Sequence, residues 1–195
     1  MGLAILILGL VVFIGAHVFV TLRGERAALI ARLGESTYKI AFSVVSAIGI
    51  ALIVWGFARY RAEGWINVWN PPIGMRHLAT FLLWPAMIMI VAAYARGHIY
   101  RVLRHPMLAG TKLWALAHLM ANGDLGSIIL FGSILAWAVY DRISLKRRSD
   151  AGGPPIPVGG RHADVVAVVG GSVLYVLLAT VFHRYVIGMP IFSIL

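Results

Sequence analysis

The chain has 195 residues, of which 61% are hydrophobic and 12% are charged, and its 17 Lys and Arg outnumber seven Asp and Glu. Soluble domains carry roughly 25% charged residues, so this composition excludes a water-soluble domain and predicts membrane spans. A net charge of +10 would suggest nucleic acid in a soluble protein. Here the basic residues lie between apolar runs, where membrane topology accounts for them, and we expect no nucleic-acid partner. The chain has no cysteine, which excludes disulfides and thiolate metal sites.

Apolar runs of the length of a membrane helix recur along the whole sequence. A hydrocarbon core of about 30 Å needs about 20 helical residues. We therefore predict an all-α, polytopic transmembrane bundle of about six helices (roughly five to seven) in a single domain over residues 1–195. The predicted spans cover residues 3–22, 39–59, 78–96, 106–121, 125–141 and 165–187. The first run lacks the basic start of a signal peptide, so we expect it to be retained, and the fourth is short enough to be re-entrant or buried in the bundle.

The distribution of Lys and Arg predicts the orientation of the spans. The loops after the first, third and fifth spans hold 13 of these residues, and the remaining segments hold four. The positive-inside rule then puts the odd-numbered loops in the cytoplasm and both termini outside. The Gly- and Pro-rich segment at residues 146–164 is expected to be a flexible cytoplasmic link.

Three of the seven histidines, at positions 17, 118 and 183, lie inside predicted spans. An ionisable side chain at membrane depth is costly and therefore a functional candidate. Residues Thr111, Trp114, His118 and Asn122 recur at the spacing of one helical face. Two neutral imidazoles from different helices are the usual protein ligands of a buried six-coordinate haem b, and a non-haem histidine site is the other metal option. A structural interpretation stays open, in which each histidine bonds to a backbone carbonyl and holds two helices together.

Two further polar segments flank the fourth span and also have two interpretations each. Asn122 and Asp124 could belong to the site, or they could be a turn residue and the N-cap of the next helix. In Arg104-His105-Pro106, proline occupies the first helical position. That helix start could bind an anion, either the carboxylates of a cofactor or a nucleotide. Alternatively, the basic residues could act only to set the orientation of the spans in the membrane.

Several segments, in order, resemble the NnrU family of bacterial membrane proteins over about residues 3–190. They are GAHVFVTLR with His17 and Arg23, WNPP…MRHLA, RHPMLAG with LWALAHLMANGDL, LFGSILAWAVYD, and HRYVIGMP with His183. The family is associated with nitrite and nitric oxide metabolism in denitrification. The resemblance implies a multi-pass protein of the bacterial inner membrane.

The family is in turn similar to the plant and cyanobacterial zeta-carotene isomerase, an integral membrane haem b enzyme. That enzyme isomerises a cis double bond when its haem is reduced. The resemblance implies haem b with His17 and His118 as axial ligands. Ala115 stands where the isomerase has a cysteine that is proposed as an alternative ligand, so an exchange of that kind is not expected. The further cofactor-binding candidates are Arg23, Arg101, Arg104, His105, Lys112, Trp114 and Asn122, followed by His183 and Asp124.

These implications leave several functions open. The protein could be a redox-gated cis–trans isomerase of a polyene, or an accessory or sensor protein of nitrite and nitric oxide respiration. A membrane lipid or polyene and nitric oxide are the expected small-molecule partners. RHPMLAG is also similar to a segment of isoprenylcysteine-type methyltransferases that helps bind S-adenosylmethionine, but those enzymes carry a later glutamate and this chain has none after Glu63. The substrate, the oligomeric state and an axial role for His183 stay undetermined by the sequence.

Overall fold

The structure is a computed structural model that describes residues 1–147 and 159–191, and those residues are almost all helical. This confirms the all-α prediction. The helices are α1 (Gly2–Phe19), α2 (Arg23–Leu33), α3 (Glu35–Ala62), α4 (Ile73–Ala95), α5 (His98–Leu103), α6 (Pro106–Ala121), α7 (Leu125–Lys146), α8 (Arg161–Leu177) and α9 (His183–Tyr185). A π-helical turn, Leu178–Phe182, joins α8 to α9.

Five helices of the described residues are long and apolar enough to cross a membrane. They are α1, α3, α4, α7 and the continuous segment Arg161–Tyr185. The chain is thus a polytopic membrane protein, as predicted. The remaining predicted span corresponds to α6, which has 16 residues and is shorter than the others, as expected. The segment between the first two spans was expected to be a loop, but it forms α2, because its Ala, Leu and Arg residues are strong helix formers.

The described residues form two compact units. Unit one comprises Met1–Trp69 and Gly123–Ser144, and unit two comprises Asn70–Asn122 and Leu145–Leu195. The single domain predicted from the sequence stays a prediction. The predicted flexible link at residues 146–164 lies partly outside the described residues, which omit residues 148–158.

In unit one, α1 and α3 pack against each other through glycines. A Cβ on Gly56 would overlap the backbone of Leu6, and one on Gly9 would lie 2.6 Å from the backbone nitrogen of Ile53. A Cβ on Gly49 would lie 2.9 Å from the backbone nitrogen of Phe13 in α1. Helices in lipid gain little from the hydrophobic effect, so their association depends on such close approach. Gly49 and Gly56 therefore allow α3 to approach α1 closely.

Glu63, just after α3, caps the start of α1 in the same unit. Its carboxylate accepts a hydrogen bond of 2.9 Å from the backbone N–H of Gly2, and Nη2 of Arg59 lies 3.3 Å away. The Gly2 hydrogen bond is the main cause that lowers the pKa of Glu63 from 4.5 to about 2. The carboxylate thus supplies an acceptor for a helix N-terminus, where backbone N–H groups lack partners.

The lowered pKa of Glu63 predicts a pH dependence. Because the folded carboxyl binds its proton more weakly than the unfolded one, its stabilising effect is complete above pH 4.5 and is lost as the pH falls toward about 2. We expect the melting temperature in detergent to fall more between about pH 6 and about pH 3 for the wild type than for Glu63→Gln. Equal falls for both proteins would contradict this role of Glu63.

The segment after α3 is tied to the start of α7. Tyr60 is buried, and its hydroxyl accepts the N–H of Ile66 at 2.9 Å. Gly126 leaves room for the Tyr60 ring, since a Cβ there would overlap it. The backbone N–H of Val68 also donates to the carbonyl of Gly123 at 2.9 Å. These contacts fix where α7 begins.

In unit two, α4 packs against both α6 and α8. A Cβ on Gly110 of α6 would lie 2.8 Å from the carbonyl oxygen of Ala86, and Gly171 of α8 is equally close to the α4 backbone. The indole N–H of Trp84 donates to the hydroxyl of Ser172 at 2.8 Å. Helix α4 therefore holds α6 and α8 in position, and these two elements carry His118 and lead to His183.

Candidate functional site

His118 lies half-buried on α6 of unit two with its ring orientation fixed. Its Nδ1 bonds to the carbonyl oxygen of Trp114 at 2.8 Å. A carbonyl can only accept, so Nδ1 donates, and in the neutral ring the lone pair lies on Nε2. The ring centroid is 4.8 Å from that of Trp114, and the amide of Asn122 donates to the His118 carbonyl at 2.8 Å. His118 thus contacts Trp114 and Asn122, two of the three residues that were predicted to share its face, the third being Thr111.

His183 also belongs to unit two and has the same tautomer. Its Nδ1 bonds to the carbonyl oxygen of Leu178 at 2.8 Å. The same carbonyl accepts the backbone N–H of His183, because the π turn Leu178–Phe182 sets that hydrogen bond five residues apart. Single π turns inside helices occur frequently at functional sites. The ring of His183 lies 6.2 Å from that of His118, centroid to centroid, with an angle of 25° between the two planes.

His17, on α1 of unit one, lies among aromatic rings. Its Nδ1 bonds to the carbonyl oxygen of Phe13 at 2.7 Å, so this ring has its lone pair on Nε2 as well. The ring centroids of Phe13, Phe42 and Trp137 lie 4.2, 5.1 and 5.2 Å from that of His17. Sequence reasoning missed Phe42 and Trp137, because they belong to α3 and α7 and helical spacing relates only residues of one helix.

These hydrogen bonds change the structural interpretation of the three histidines. Each ring bonds to a carbonyl four or five residues earlier in its own helix, so the hydrogen bond does not join two helices. The bond instead fixes the ring and leaves Nε2 as the acceptor. This is the usual state of a metal-bound histidine, whose other nitrogen donates to a carbonyl or carboxylate.

The donor set fits the iron of a haem. In the described part of the chain, no group of three or more His, Asp or Glu side chains could hold a bare metal ion. A bare transition ion needs three or four protein ligands, whereas haem iron takes four nitrogens from its porphyrin and one or two from the protein. Oriented imidazoles that occur singly or in pairs suit the second case.

The predicted cationic partners of a cofactor lie at exposed or half-buried positions. Arg23 begins α2 of unit one, and Arg104 follows α5 of unit two with a left-handed φ of 60°. Arg101 contacts Nδ1 of His98 at 2.7 Å. His105 and Lys112 are half-buried at the start of α6. Pro106 occupies the first turn of that helix, as predicted, and contacts between the basic residues and a cofactor stay predictions.

Asp124 has a structural function in unit one. Its carboxylate accepts the backbone N–H of Ser127 at 2.9 Å and so caps the start of α7. The capping interpretation of Asp124 is confirmed. Capping uses side-chain oxygens to satisfy the N–H groups that a helix N-terminus leaves without partners.

Asp164, which no motif in the sequence indicates, fixes the short helix α5. Its two carboxylate oxygens accept the backbone N–H groups of His98 and Ile99 at 3.0 and 2.9 Å. The two partners are about 65 residues away along the chain, so no local pattern could have indicated the contact. This carboxylate holds the basic segment around α5 against α8.

We expect Asp164→Ala to loosen α5, because the backbone N–H groups of His98 and Ile99 lose the carboxylate that caps them. Hydrogen–deuterium exchange of residues 97–103 should become faster, while exchange in α3 of unit one should not change. Asp164→Asn keeps an acceptor and should have the smaller effect. Wild-type exchange rates at α5 in the alanine variant would contradict the assignment.

Comparison with known proteins gives one match. No curated protein and no solved structure was found to be similar to the chain. A family model described as NnrU protein matches residues 5–191, which is nearly the whole sequence. The match includes the three histidines at positions 17, 118 and 183, the RHP segment and the closing HRYVIGMP segment. The chain belongs to the NnrU family.

Proposed function

We propose that this NnrU-family protein binds haem b, with His118 as one axial ligand and His17 as the other. The observation that carries the proposal is the hydrogen bond from Nδ1 of each ring to a carbonyl of its own helix, which leaves the metal-binding Nε2 as the acceptor. The choice of His17 as the second ligand rests on the family resemblance. The porphyrin would supply the ligands that a bare ion would lack.

The chain's own residues would orient the cofactor and limit its contact with water. Trp114 packs on the His118 ring, and its carbonyl fixes that ring at 2.8 Å. Phe13, Phe42 and Trp137 surround His17 with apolar surface. Such surroundings govern solvent access and the reduction potential of an iron centre. Among the predicted cations, Arg101, Arg104 and Lys112 of unit two and Arg23 of unit one would pair with the propionates.

A bound haem would supply a one-electron redox centre, and two activities could use it. One is the redox-gated cis–trans isomerisation of a polyene that enters from the lipid. The other is an accessory or sensor function in nitrite and nitric oxide respiration. We place the protein in the bacterial inner membrane, with both termini outside the cytoplasm. Nitric oxide binding to the reduced protein would favour the accessory or sensor function. Turnover of a cis-polyene by the reduced protein would favour the isomerase.

A haemin titration of the purified protein in detergent tests the proposal. We expect one haem per chain, a low-spin spectrum and quenching of tryptophan fluorescence, because Trp114 lies beside His118. The matched control is His77→Ala, since His77 is an exposed histidine of α4 in the same unit. The haem site would be rejected if the wild type bound haemin only weakly and without saturation, and if His118→Ala and His77→Ala bound it in the same way.

A further inference from the structure

Unit two holds a second imidazole, that of His183, beside His118. The rings of His118 and His183 are 6.2 Å apart, and they come from different elements, α6 and the end of the π turn. The family resemblance assigns no ligand role to His183. Its closeness to His118 is a property of the fold of unit two alone.

The hydrogen bonds determine what the two rings can do together. Each Nδ1 donates to a carbonyl of its own helix, so each neutral ring has its lone pair on Nε2. Because the two nitrogens lie on opposite sides of the imidazole ring, the bond of Nδ1 to the carbonyl leaves Nε2 on the far side of the ring from that carbonyl. Two acceptors cannot hydrogen-bond to each other, so what they can share is an electron-poor centre such as a metal ion.

The separation of the rings agrees with such sharing. Metal–imidazole bonds are about 2.0–2.1 Å long, so two imidazoles on opposite sides of one metal have ring centres about 6 Å apart. The observed 6.2 Å is of this size. The π turn contributes directly, because its carbonyl of Leu178 accepts both the backbone N–H and the ring N–H of His183 and so fixes the ring.

We propose that His183 is an alternative axial ligand, able to bind the iron opposite His118 in place of His17. The inference rests on the proposed haem function and extends it. Three oriented histidines then serve two axial positions, and unit two alone can keep the iron six-coordinate. At such a site, His17 could leave the iron and the iron would still have six ligands.

The test compares His17→Phe with the double variant His17→Phe/His183→Phe. Phenylalanine keeps the aromatic packing around position 17, where three rings lie within 5.2 Å. Electron paramagnetic resonance and the visible spectrum report the coordination of the ferric haem. We expect His17→Phe to keep a low-spin, six-coordinate haem and the double variant to become high-spin or lose its haem. His17→Phe/His77→Phe is the matched control and should resemble the single variant.

Each result has one meaning. A high-spin or haem-free His17→Phe protein would overturn the role of His183 and leave the haem proposal intact, provided that the wild type binds haem. A wild type without haem would overturn both. His17→Gln repeats the comparison if the phenylalanine variant elutes as an aggregate. Added imidazole should restore the low-spin spectrum of the double variant, and low-spin haem in that variant without imidazole would also overturn the inference.

Discussion

His118→Ala should lower the affinity for haem by more than about 100-fold, because it removes the ligand itself, whereas losing a residue that merely orients a ligand costs about 10–100-fold. Several contacts within unit two hold the His118 ring. Trp114 fixes Nδ1 and packs on the ring, and His183 lies beside it. Haem per chain, measured as the pyridine haemochrome of the purified protein, is the readout.

The control for His118→Ala is His77→Ala, which removes an exposed histidine of the same unit and should keep the wild-type haem content. Both variants should elute from a size-exclusion column at the same volume as the wild type, which shows that they are folded and not aggregated. Equal haem content in His118→Ala and the wild type would exclude His118 as an axial ligand. The site would then have to be sought at His17 in unit one.

The second large effect is expected where α1 and α3 touch. Gly9→Ala should destabilise the protein by about 1–3 kcal/mol, the usual cost of overfilling a packed contact. The new Cβ would lie 2.6 Å from the backbone nitrogen of Ile53, and a backbone atom cannot move aside as a flexible side chain can. Unfolding by heat or by a denaturing detergent measures the change.

Gly15→Ala is the matched control, because it introduces the same side chain on the same helix where nothing lies within 4 Å. We expect it to leave the stability unchanged or to raise it by up to about 1 kcal/mol, since alanine favours helix more than glycine does. Similar losses for both variants would mean that the flexibility of glycine matters, and not its small size.

The sequence predicted the membrane helices well, because apolar length is a strong signal. It also predicted that His118 lies near Trp114 and Asn122, and both residues contact it. It did not predict α2, because a charged segment between two apolar runs usually indicates a loop. The short helix α5 was also missed, because its position depends on the carboxylate of Asp164, which is distant in the sequence.

The approach of His183 to His118 could not be predicted from helical spacing. Spacing assumes 3.6 residues per turn, whereas the π turn Leu178–Phe182 widens the helix just before His183 and rotates everything after it. The rings around His17 were beyond reach for another reason. Phe42 and Trp137 come from other helices, and the sequence does not say which faces of those helices meet α1.

The proposed haem on histidine ligands is tested most directly by the absorption spectrum of the detergent-purified protein, as isolated and after dithionite, following expression with added haem. We expect one haem per chain, with a Soret band that sharpens and split α and β bands on reduction. A colourless protein would contradict the haem proposal. The three histidines would then be structural, and S-adenosylmethionine binding at Arg104-His105-Pro106 would be the next property to measure.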